Sequence, residues 1–117
     1  MRFLSIFTAE ERPTPPGEEE IAEMGKLIEE FSKTGQLVAT EGCLPTALGA
    51  RVRRAGGDYT VKDGPFTEAK EVVGGFAILE AASREEAVEL AKRFMDVAGD
   101  GQCEIRQLHE QPAFVAE

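Results

Sequence analysis

Asp63-Gly64-Pro65-Phe66-Thr67-Glu68-Ala69-Lys70-Glu71-Val72-Val73-Gly74-Gly75-Phe76 is denser in special residue types than any other segment of the chain. Its fourteen residues hold a turn signal, three carboxylates, a lysine and a Gly-Gly pair, and they run into an apolar strand. Asp63 ahead of Gly64-Pro65 is turn chemistry, because Asp bonds its own backbone and Gly supplies unusual dihedrals. Phe66 is an apolar anchor. Gly74-Gly75 removes two side chains where the strand begins, which permits a bulge or a close approach of backbone to a ligand or another strand. Two readings stay open: the rim of a ligand pocket, or a well-specified turn with solvated charges.

Working outward, residues 73–80 read as a strand with Phe76, Ile78 and Glu80 on one face and Ala77 and Leu79 on the other. Ser83-Arg84-Glu85-Glu86 is a capping box, and Ala87, Leu90, Ala91, Phe94 and Ala98 follow at helical spacing. Residues 102–108 form a last strand, and Pro112 blocks a regular element after His109. Upstream of the central stretch, residues 50–54 and 58–62 form a hairpin around Gly56-Gly57. Arg51, Arg53 and Arg54 are read as a solvated edge that discourages aggregation.

Residues 36–42 are a strand in which Leu37 and Ala39 oppose Val38 and Thr40. The first helix is expected to start with Thr14 as cap and Pro15 at the first helical position. It runs to about Lys33, burying Ile21, Met24, Leu27, Ile28 and Phe31, and Gly35 stops it. Gly25 inside it is explained by close packing against a sheet. Residues 2–8 are a strand apolar on both faces, Phe3, Ser5 and Phe7 against Leu4 and Ile6, and so a central strand covered on both sides.

The order is strand, helix, strand, inserted hairpin, strand, helix, strand. It predicts an α+β, ferredoxin-like antiparallel sheet with two helices on one face, in one domain spanning 1–117. A second copy packed sheet to sheet would cover the other face, so a homodimer is expected.

Composition narrows the function classes. The chain has 117 residues, enough for one core without staples. A net charge of −9 repels a phosphate backbone, so no nucleic acid is expected. No apolar run reaches the length of a membrane span, and Met1 to Phe7 is too short and too weakly basic for a signal peptide. Cys43 and Cys103 have no paired spacing and read as buried or half-buried thiols in a reducing cytoplasm. One histidine and two distant cysteines give no zinc set, so no metal or cofactor is expected.

Asp63-Gly64-Pro65-Phe66, then Glu68, Lys70-Glu71 and Gly74-Gly75-Phe76, resembles the DGPF-domain proteins of the YCII-related family. The likeness extends to the acidic first helix with Glu20 and Met24, the Glu41-Gly42 strand end and the Glu104-Ile105-Arg106 strand. It implies the dimeric α-β barrel type of fold in small bacterial cytoplasmic proteins, some encoded beside extracytoplasmic-function sigma factors. Members of the wider family carry a His-Asp pair proposed as catalytic. Here the only histidine is His109, so that pair is not carried over.

One function reading is a binding protein or enzyme for an unknown small molecule, with a pocket between sheet and helices by the central loop. Asp63 is its acid-base candidate. Gly64, Pro65 and Phe66 form the ligand-facing loop, Glu68 and Lys70 are polar anchors, and Phe66 and Phe76 the apolar wall. The other is a non-enzymatic interaction module with a sigma-factor-related partner.

Overall fold

The computed structural model describes residues 1–109; the reading of the segment around Pro112 lies outside them. The elements are β1 (Arg2–Ala9), α1 (Glu18–Lys33), β2 (Leu37–Gly42), β3 (Ala50–Ala55), β4 (Asp58–Asp63), β5 (Val72–Glu80), α2 (Arg84–Ala98) and β6 (Gln102–Gln107). The main sheet has the order β2-β5-β1-β6, every neighbour antiparallel, while β3 and β4 form a separate two-stranded ribbon. This is the ferredoxin-like α+β arrangement with an inserted hairpin.

One face of the sheet is packed. Phe3, Leu37, Ala77 and Leu79 meet Leu27 and Phe31 of α1 and Ala87 and Leu90 of α2 in a single buried cluster. The Phe31 and Phe94 rings sit 5.9 Å apart, joining the two helices. On the opposite face, cross-strand pairing sets Leu4 beside Ile78 and Ile6 beside Phe76. Arg106 and Glu104 flank that apolar square on the β6 side, and Ala39 and Glu41 flank it on the β2 side. Among the described residues no element covers this face.

Four local expectations are corrected. The first helix does not begin at Thr14-Pro15. Pro16 pushes Pro15 out of the helical region, as a proline does to the residue before it, and α1 starts at Glu18 with Gly17 as an extended cap. Ile21 thereby falls in the overhanging first turn and is 59% exposed. A Cβ on Gly25 would meet nothing within 4 Å, so close packing is not its reason. In β2 a register shift at Val38 puts Leu37 opposite Leu79 but Ala39 opposite Ile78, on different faces. Cys43 is exposed, because the chain leaves the sheet there and only its N–H is held, by the Gly74 carbonyl at 2.9 Å.

The second helix starts as its sequence dictates. Ser83 Oγ accepts the Glu86 N–H at 3.1 Å, and Glu86 Oε1 accepts a backbone N–H at 2.7 Å, from Ala82 rather than Ser83. The Gly-Gly pair makes a bulge: Gly75 lies opposite Phe7 and Val73 opposite Thr8, leaving Gly74 as the extra residue.

Candidate functional site

Three connections meet at Thr46, in the short 3-10 turn Thr46–Leu48 between β2 and β3. Its N–H donates to Glu11 Oε2 at 2.6 Å and its hydroxyl donates to Glu11 Oε1 at 2.7 Å. The same hydroxyl oxygen accepts the Phe66 N–H at 3.2 Å. Glu11 belongs to the β1–α1 loop, so one threonine ties that loop to the β4–β5 loop. The Glu11 carboxyl is held below its ordinary range by the Thr46 backbone N–H first and the Thr46 hydroxyl second. Gly64 passes beneath: its N–H donates to the Gly49 carbonyl at 2.9 Å, and a Cβ there would overlap the Thr46 carbonyl. The Gly64–Pro65 peptide is cis.

Phe66 is buried beside this hub, at 9% exposure, and is not part of the main core. The Arg51 guanidinium lies over its ring, 3.9 Å from the centroid. Arg51 also bonds Glu68 Oε2 at 2.7 Å, and Lys62 reaches the same oxygen at 2.8 Å. The Glu68 carboxyl is lowered to about 2, chiefly by Lys62, then by its own backbone N–H, with Arg51 adding to the effect. Pairing explains the convergence. Arg51 and Lys62 are cross-strand partners, so their side chains leave the ribbon on the same face.

Of the residues singled out in the sequence, Gly64, Phe66 and Glu68 are thus brought together. Asp63 closes β4 opposite Ala50; its side chain is exposed and makes no hydrogen bond or ion pair among the described residues. Pro65 and Lys70 are exposed. Phe76 stands apart on the uncovered sheet face, beside Ile6. Sequence reasoning missed Glu11 and Thr46, which carry no local signal: they lie 35 residues apart. It also placed Arg51 on a solvated edge, whereas Arg51 covers Phe66.

The space between sheet and helices is filled by the core cluster. An open groove of about 630 Å³ runs past Phe31, Gln36, Leu90 and Met95, and a smaller one lies between the helices at Leu27 and Val97. Neither touches residues 63–76. Among the described residues no cluster of three or more His, Cys, Asp or Glu is placed to hold a metal ion, and no helix is long and apolar enough to cross a membrane.

The comparisons agree with this architecture. An uncharacterised protein of Rhizobium meliloti (strain 1021) is 30% identical over 87 residues, covering 74% of this chain and 70% of that protein. Among solved structures, 5-chloro-2-hydroxyhydroquinone dehydrochlorinase from Burkholderia phenoliruptrix AC1100, in complex with 2,5-dihydroxybenzoquinone, superposes with a TM-score of 0.53. That likeness spans 95% of this chain and 96% of the other at 17% identity, and it establishes the fold. The YCII-related domain matches residues 1–110, and on that match the chain belongs to the YCII-related family.

Proposed function

We propose that this chain is a small-molecule-binding protein or enzyme of the dimeric α-β barrel type, working as a homodimer. Its pocket is formed between the uncovered sheet face and the loop 63–71. The carrying observation is the apolar square of Leu4, Ile6, Phe76 and Ile78, which no element among the described residues covers. Phe76 and Ile78 lie on β5, which starts directly after that loop. A single chain offers there a wall without a lid, and a second copy supplies the lid. Asp63 is the acid-base group of this reading. Its exposure in one chain leaves it free to meet a ligand or the second copy. Gly64, Pro65, Phe66 and Glu68 fix the loop, and Lys70 and Phe76 line the approach. Two free thiols support a reducing, cytoplasmic setting.

The enzyme of like fold is described in complex with 2,5-dihydroxybenzoquinone, so small hydroxylated aromatics are the first ligands to test. Sedimentation of the purified protein at micromolar concentration is expected to give twice 12.7 kDa. Calorimetric titration of that dimer with hydroxylated benzoquinones and benzoates is expected to show binding that Phe76→Ala weakens by about tenfold. Asp63→Asn is expected to leave affinity near wild type and abolish any turnover. A monomer that binds none of these compounds would remove the reading.

The second reading, an interaction module serving a sigma-factor-related partner without chemistry, draws on another observation. Leu44, Leu48, Val52, Tyr59 and Val61 are exposed apolar side chains beside the loop. Capture of a defined partner by a purified chain that binds no small molecule would favour it.

A further inference from the structure

The β3–β4 ribbon is amphipathic, and its polar face is the one turned toward its own chain. Cross-strand pairing puts Val52 with Val61 and Arg54 with Tyr59 on one face, and Arg51 with Lys62 and Arg53 with Thr60 on the other. The second face is tied back, through Arg51 and Lys62 to Glu68 and through Arg51 to Phe66. The apolar face is left open, with Val52, Tyr59 and Val61 between 65% and 68% exposed. The ribbon pairs with no strand of the main sheet. A two-stranded hairpin alone is marginally stable in water, and an open apolar ribbon is a template for aggregation unless something covers it.

We propose that this ribbon is an exchange arm: its apolar face lies on a second copy of the chain, and each copy's arm closes the other copy's pocket. The inference rests on the homodimer reading and adds to it the residues that cross between copies. Three observations select a second copy as the occupant. Arg53 and Arg54 have no ion-pair partner among the described residues, and the chain has a net charge of −9, so another copy offers them an acidic surface. The arm is connected to the sheet through β2 and β5, whose Glu41, Phe76 and Ile78 belong to the uncovered face, so its root lies at the edge of that face. A two-fold pair covers both arms and both faces at once. Arg54, the cation on the apolar face, stands over Tyr59 at 5.8 Å. Glu41, which has no ion-pair partner among the described residues, is the charge on the opposite rim for it to meet.

Tyr59 reports on its own environment, because the chain has one tyrosine and no tryptophan. Acrylamide quenching of its fluorescence is measured across a dilution series whose assembly state is followed by sedimentation. Quenching is expected to fall severalfold as the dimer forms. Val52→Ser with Val61→Ser is expected to raise the dimer dissociation constant roughly tenfold, as loss of buried interface side chains does. Both positions are exposed in the single chain, so the circular dichroism spectrum is expected to stay that of wild type. A wild-type dimer in which Tyr59 is quenched as readily as in the monomer would overturn the arm and leave the homodimer standing. A wild-type protein that stays monomeric would overturn both.

Discussion

Leu79 and Ile78 are consecutive residues of β5, and they meet different worlds. Leu79 is 1% exposed, enclosed by Phe3, Leu37 and both helices. Ile78 is half-buried beside Leu4, and no element among the described residues lies over it. The pleat sends successive side chains to opposite faces, so one strand records two solutions to the same problem. The helix side is finished by the chain itself. The other side, and the ribbon beside it, is apolar but held only by polar contacts at its margin. An apolar surface that a chain keeps open at this position is best accounted for as an interface.

The two faces of β5 are expected to differ most in what a side-chain truncation costs. Leu79→Ala is expected to cost about 2–5 kcal/mol, the range for a large-to-small change in a packed core. In urea titrations that loss is expected at every protein concentration. Ile78→Ala is expected to cost less than half as much in dilute protein, where its neighbour is water. Under the proposed homodimer its cost rises at high concentration, because stability then includes association. Equal, concentration-independent losses for the two variants would show that the two faces do not differ in this way.

Next in size is the loop that connects the two regions. Gly64→Ala drives a Cβ into the Thr46 carbonyl, and a backbone atom cannot swing aside. The expected cost is about 1–3 kcal/mol, as for overpacking elsewhere, with the Glu11–Thr46–Phe66 connection loosened. Gly74→Ala is the control. Its Cβ would come 3.3 Å from Phe7 Cδ2, a ring that can yield, and a loss under about 1 kcal/mol is expected. Gly75, with Glu41 O at 2.7 Å from an added Cβ, belongs with Gly64. A denaturation midpoint lower for Gly74→Ala than for Gly64→Ala would contradict the hub.

Much of the finished region was legible in the sequence, and the physics says why. Apolar residues at 3–4 spacing placed Leu27, Phe31, Ala87 and Leu90 in the core. Ser83 with Glu86 set the start of α2, and Gly56-Gly57 set the ribbon turn, where both residues have positive φ. These signals act within a few residues. The start of α1 is masked in the sequence because Thr14-Pro15 has the form of a cap with proline at the first helical position, while Pro16 keeps Pro15 out of the helix. The shift at Val38 was invisible, since a bulge inserts one residue into an otherwise regular alternation. The site was legible only in outline. Gly64, Phe66 and Glu68 were found because they are adjacent in sequence, whereas Glu11, Thr46 and Arg51 join them through tertiary contacts.

The margin that holds the ribbon is expected to respond to acid, and only weakly. Glu68 has its carboxyl lowered from 4.5 to about 2 by Lys62, its own backbone N–H and Arg51. A carboxyl whose folded pKa lies below its unfolded one adds stability that is complete above the unfolded value. That contribution is lost as the pH falls through the folded value. The window is therefore roughly pH 4.5 down to 2, and Glu11, lowered in the same direction by Thr46, adds to it. Both groups are exposed, so the effect is modest and weakened by salt. Glu68→Gln is expected to flatten part of the acid limb of a stability-versus-pH curve at low ionic strength, and to change little at neutral pH or in high salt. Leu79→Ala is expected to lower that curve throughout without changing its slope. An acid limb that is identical in wild type and Glu68→Gln would mean that the ribbon is not held through Glu68, and that the open apolar face is oriented by something other than this clamp.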